Sequence, residues 1–104
     1  MAEAGGDRAD LLRQEYGRQT ARIGWRDLQT HFAAGSVIVV APELDLVEVA
    51  VQLGMDNTAL LRRWMEAGDV AGVSDEQALA WYESGAGVQA VVAAPWVLVQ
   101  QRDG

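Results

Sequence analysis

The sequence contains no cysteine and no lysine, a single histidine and only two prolines. Without cysteine there is no disulfide, no thiolate metal site and no cysteine nucleophile. Without lysine there is no Gly-Lys-Ser/Thr phosphate loop, and every basic side chain is an arginine. No apolar run approaches the roughly 20 residues that cross a bilayer. The opening Met1-Ala2-Glu3-Ala4-Gly5-Gly6-Asp7 also lacks the basic and apolar regions of a signal peptide. These absences point to a cytoplasmic protein without membrane contact.

What is present suits one small folded unit. Half of the 104 residues are hydrophobic and four are tryptophan, enough apolar material for one core and too much for intrinsic disorder. The small, polar, glycine-containing stretch 1–8 is expected to be disordered, leaving 9–104 as a single domain. The net charge is −7 and it is unevenly spread. From Arg8 to Arg26 five arginines face only Asp10 and Glu15, whereas from Asp27 onward three arginines face eleven carboxylates. A basic N-terminal helix carrying Arg13, Arg18, Arg22 and Arg26 thus precedes an acidic body. Docking of that helix on the body, or on a second subunit, is the simpler expectation. Nucleic-acid binding through it is disfavoured by the acidic whole.

Periodicity gives the element order. Leu11, Leu12, Tyr16 and Ile23 suggest a helix from an Asp10 cap, weakened by Gly17 and ended or bent at Gly24. Trp25, Leu28 and Phe32 share one face of a second helix, closed by Gly35. Val37-Ile38-Val39-Val40 is the clearest strand, four β-branched residues between a glycine and a proline, and its continuous apolarity implies burial on both faces. Pro42 suits the first turn of a third helix, apolar nearly all round except for a stripe of Asp45, Glu48 and Gln52. Asp56 or Asn57 caps a fourth helix with Leu60, Leu61, Trp64 and Met65 inward and Arg62, Arg63 and Glu66 outward. Ser74 with Gln77 makes a capping box for a fifth, with Ala78, Leu79 and Tyr82 inward and Trp81 on its flank. Residues 88–100 read as a strand interrupted at Pro95, which should force a bulge or an edge position. The expected fold is α+β: about five helices around a small two- to three-stranded sheet, in the order α-α-β-α-α-(β)-α-β. A weak 33-residue repeat relates Leu28, Ala34, Gly35, Val37, Val40, Glu43 and Leu46 to Leu61, Ala67, Gly68, Val70, Val73, Glu76 and Leu79. Two copies do not make a solenoid.

Several of these residues together resemble a known family. Trp25 with Leu28, Val37-Ile38-Val39-Val40, Leu44-Asp45-Leu46-Val47-Glu48-Val49, Asp56-Asn57, Trp64, Glu76-Gln77, Trp81 and Ala94-Pro95-Trp96-Val97-Leu98-Val99-Gln100 look like the bacterial domain-of-unknown-function family 2288, over about residues 20–100. The resemblance implies a small cytosolic bacterial protein. It brings no activity, cofactor or catalytic residue with it.

Few constellations could carry chemistry. Asp45 and Glu48, three residues apart on one helix face, could bind a cation or divide acid and base roles, but no fixed-spacing motif adds a third ligand. His31 has Asp27 four residues before it, and as a cation it suits the last turn of a helix. A Ser-His-Asp arrangement would need Ser36, Ser74 or Ser84, and no Gly-x-Ser-x-Gly elbow exists. Trp81, Tyr82 and Trp96 offer a candidate contact surface, with core packing as the alternative for the tryptophans. The leading expectation is a non-enzymatic protein-interaction or assembly module needing no cofactor and no metal. A small carboxylate-based or metal-dependent hydrolase using Asp45 and Glu48 comes second, and a weak nucleic-acid binder third. The expected partners are an unidentified protein and a second copy, paired through a sheet edge or the N-terminal helix.

Overall fold

A computed structural model describes residues 4–101. Helix α1 (Ala4–Gln19) starts before the expected Asp10 cap, and residues 1–3 of the stretch read as disordered lie outside the described residues. It stops where Thr20 turns its hydroxyl and its N–H back on the Tyr16 carbonyl, at 2.7 and 2.9 Å. The chain then runs not as helix to Gly24 but as strand β1 (Ala21–Gly24), followed by a 3-10 turn at Trp25–Leu28 and short helix α2 (Gln29–Ala33). The basic helix of the sequence reading is therefore cut in two. Arg13 and Arg18 stay on α1, Arg22 lies on β1 and Arg26 on the turn. Ile23 fits a helical period after Tyr16, but its backbone finds a better partner in a strand opposite Val88.

Next come strand β2 (Val37–Val40), helices α3 (Leu46–Gly54) and α4 (Thr58–Ala67), strand β3 (Val70–Gly72), helix α5 (Asp75–Ser84) and strands β4 (Gly87–Ala93) and β5 (Trp96–Gln100). Side chains of Asp45, Asn57 and Ser74 cap the three helices by accepting N–H bonds. Gly68 and Gly85 close α4 and α5 at φ 80° and 67°, in the left-handed region open to glycine.

The fold is α+β, but among the described residues its mixed sheet has five strands in the order β1-β4-β5-β2-β3, larger than the two or three expected. The optional third strand is β3, and the two beyond it are β1, read from sequence as helix, and the second arm of 88–100. The expected strand 88–100 is a hairpin instead: Pro95, which cannot donate to a ladder, sits with Ala94 in the turn between β4 and β5. Both strands are then central. β5 pairs antiparallel with β4 and parallel with β2, Val37 opposite Val97 and Val39 opposite Val99.

Alternation sends side chains to two cores. On one face Val37, Val88, Val97 and Val99 meet Trp25, Leu28, Ala78 and Trp81. On the other Val40, Val70, Val91, Ala93 and Leu98 meet Leu46, Val49 and Ala50 of α3, with Tyr16 and Trp64 at the margin. The sheet is thus enclosed by helices on both sides, in agreement with the unbroken apolarity of β2. Two inward assignments are corrected. Met65 is 63% exposed, and α5 is turned so that Trp81 enters the core while Leu79 and Tyr82 face out. Apolar residues at 78, 79, 81 and 82 cover so much of α5 that its own pattern does not choose a face; the edge-to-face contact of Trp81 with Trp25 at 5.1 Å does. The 33-residue repeat survives as far as the strands. Gly35 and Gly68 both have positive φ, and Val37 and Val70 are both buried. It then breaks, since Leu46 is buried and Leu79 exposed.

Candidate functional site

Asp45 and Glu48 of the expected carboxylate stripe have separate partners. Asp45 lies before α3, where its carboxylate accepts the N–H groups of Val47 and Glu48 at 3.0 and 3.2 Å. Asp45-x-x-Glu48 is the spacing of a helix start, a signal that outweighed Pro42 as the marker of the first turn. Glu48 is held from the other side. Arg13 of α1 grips it with two bonds, Nε to Oε2 at 2.9 Å and a terminal nitrogen to Oε1 at 3.0 Å. Gln52 donates to Glu48 at 3.4 Å and accepts from Asn57 at 2.8 Å, linking α3 to the cap of α4. Among the described residues no three acidic or imidazole side chains gather.

Arg13, the first cause, holds the Glu48 carboxyl below its ordinary value near 4.5, and Glu48 raises the arginine in return. A depressed carboxylate stabilises the fold above its unfolded value and loses that contribution as pH falls through the folded one. The contribution of the Arg13–Glu48 pair is therefore present at neutral pH and lost in acid. Both side chains are about 40% exposed, so the pair serves register more than stability.

The remaining contacts of α1 are of the same docking kind. Arg8 donates to the Gly54 carbonyl at 3.1 Å. A Cβ on Gly54 would stand 3.0 Å from the Tyr16 hydroxyl and 3.2 Å from Leu12 Cδ1, so glycine there permits the close approach of α1 to α3. Arg18 pairs with Glu15 in its own helix. Arg22 lies along Gly87, and Arg26 donates to the Tyr82 carbonyl at 2.8 Å with its guanidinium 4.9 Å above the Tyr82 ring. The four arginines of the expected basic helix thus lie on three elements, and α1 rests against α3 and β4 on a face of the sheet.

The aromatic trio is also divided. Trp81 is core, its indole N–H donating to Gln101. Tyr82 lies beside Arg26 on the α5 side, whereas Trp96 projects from the opposite face of the sheet, toward α4. His31 is exposed at the end of α2, and no ion pair joins it to Asp27. Ser74 caps α5 and the Ser84 hydroxyl donates to the Trp81 carbonyl.

Sequence reasoning missed the feature that remains. Between the end of the sheet and α4 runs a groove of about 280 Å³, lined among others by Ile38, Leu53, Leu61, Met65, Gly72 and Trp96. Its lining includes no ionisable side chain and no hydroxyl. Met65 and Trp96 stand at its mouth, 63% and 37% exposed. The spacing of Leu61 and Met65, one helical turn apart, was legible as an apolar stripe. That the stripe overhangs the sheet end instead of covering it depends on where α4 docks. A second hollow of about 240 Å³ lies on the other face, with His31, Leu28 and the half-exposed Val92 in its wall.

A family model described as a protein of unknown function (DUF2288) matches residues 11–101. The NMR solution structure of PA1075 from Pseudomonas aeruginosa is similar at 36% identity and a TM-score of 0.79, over 90% of this chain and 87% of that one. No curated protein matches.

Proposed function

The chain belongs to the family of proteins of unknown function DUF2288, and we propose that it is a cytoplasmic, non-enzymatic protein-interaction module working through the groove of Leu61, Met65 and Trp96. One observation carries this reading. The groove presents exposed methionine and tryptophan at its mouth and contains no group able to exchange a proton or attack a substrate. Methionine and tryptophan are enriched where surfaces bind partners, methionine because its unbranched thioether adapts to different shapes. The carboxylates that a hydrolase would need are engaged elsewhere, Asp45 as a helix cap and Glu48 by Arg13.

Site-specific photo-crosslinking in the native bacterium tests the proposal. A photoreactive amino acid at position 65 is expected to give discrete protein adducts, whereas the same group at Glu83, exposed on α5, gives none above background. Adducts absent at 65, or equal at both positions, would overturn the reading.

A further inference from the structure

The outer strip of α4 carries Thr58, Leu61, Arg62, Met65 and Glu66, spaced as one helical face. Leu61 and Met65 form its apolar line, continuous with the groove, and Arg62 and Glu66 form its flank. Arg62 and Glu66 lie four residues apart in the less favourable order for an intrahelical pair, and among the described residues neither makes an ion pair. Their arrangement is self-complementary. When two helices pack antiparallel about a two-fold axis, each flank faces the same flank of the other copy. With the axis level with residue 64, position 62 meets position 66 twice.

Resting on the docking reading above, we infer that the groove's occupant is a second copy of this chain, bound by two-fold antiparallel packing of α4 on α4. Leu61 and Met65 of the two copies touch, and Arg62 of each faces Glu66 of the other. Charge complementarity favours a second copy over an unrelated protein: an acidic or a basic partner would satisfy only one of the two charges, whereas the copy satisfies both. The chain's net charge of −7 opposes self-association, and the strip, with Arg62 balanced by Glu66, adds no like charge at the contact. A ten-residue helix offers a contact only about 15 Å long, which predicts a weak dimer. The sheet edges and α1, expected from sequence to carry the pairing, are not needed for it.

Sedimentation equilibrium on the full chain tests the inference. Wild type is expected to dimerise reversibly. Glu66→Arg alone, or Arg62→Glu alone, should weaken the dimer by about tenfold, because each places like charges opposite one another twice. The double reversal should restore wild-type affinity. Both positions are exposed, so melting temperatures should hardly move. A wild type that stays monomeric to near-millimolar concentration overturns the inference, as do reversals without effect or a double reversal that fails to rescue. The crosslinks separate the two levels. An adduct from position 65 at twice 11.2 kDa supports the copy. An adduct of another mass keeps the docking groove but overturns its occupant, and no adduct overturns both.

Discussion

Trp25→Ala is expected to lower stability by about 4 kcal/mol and the melting temperature by roughly 20 °C, close to loss of the fold at physiological temperature. Trp25 is fully buried and stands where three elements meet. Its ring packs edge-on against Phe32 at 5.6 Å and Trp81 at 5.1 Å, and its indole N–H donates to the Ala78 carbonyl at 3.0 Å. Truncation removes one of the two tryptophans of that core, both aromatic contacts and the tie between the 3-10 turn and α5. Met65→Ala is the control, since an exposed side chain of similar apolarity should cost less than about 0.5 kcal/mol. Denaturant titration read by near-ultraviolet circular dichroism separates the two. Equal losses would mean that Trp25 is not the centre of this core.

The second large effect is expected from a change of very few atoms. Gln100 is buried at the end of β5, where its Nε2 donates to the carbonyls of Ala41 and Leu44 at 2.8 and 2.7 Å and fastens the loop that leads into α3. Its Oε1 has no hydrogen-bond partner among the described residues. Gln100→Glu keeps the shape but replaces the donor with an oxygen facing two carbonyl oxygens. An ionised carboxyl there should cost about 3 kcal/mol. Burial and the two carbonyls raise the folded-state value of the new carboxyl above its unfolded value. The penalty is therefore smallest below the unfolded value and grows as pH rises toward the folded one. Thermal melts of wild type and variant from acid to neutral pH check this. A constant difference across that range would show that the group remains solvated.

Local chemistry made much of this fold legible in the sequence. Asn57, Ser74, Gly68 and Gly85 mark helix ends because caps and left-handed turns depend on neighbours only a few residues away. Val37–Val40 was legible because four β-branched residues in a row favour little else. The errors arose where distant partners decide. Ala21–Gly24 is a strand because β4 lies beside it, and 88–100 is a hairpin because both of its arms find neighbours in the sheet. Trp81 exchanged places with Leu79 and Tyr82 because Trp25 waits on one side of α5. The candidate site was harder still. Asp45 and Glu48 looked like a pair, yet their partners are a backbone turn and an arginine 35 residues away. Met65 looked like core because nothing local records that the sheet ends beneath it.

The concentration dependence of the amide and indole NMR spectrum is the most direct measurement of whether the α4 strip is the working surface. From dilute to near-millimolar protein, resonances of Leu61, Arg62, Met65, Glu66 and the Trp96 indole should shift together and saturate, while those of Ala21–Gly24 and α1 stay still. A spectrum that does not change with concentration, or changes centred on β1 or α1, would contradict it.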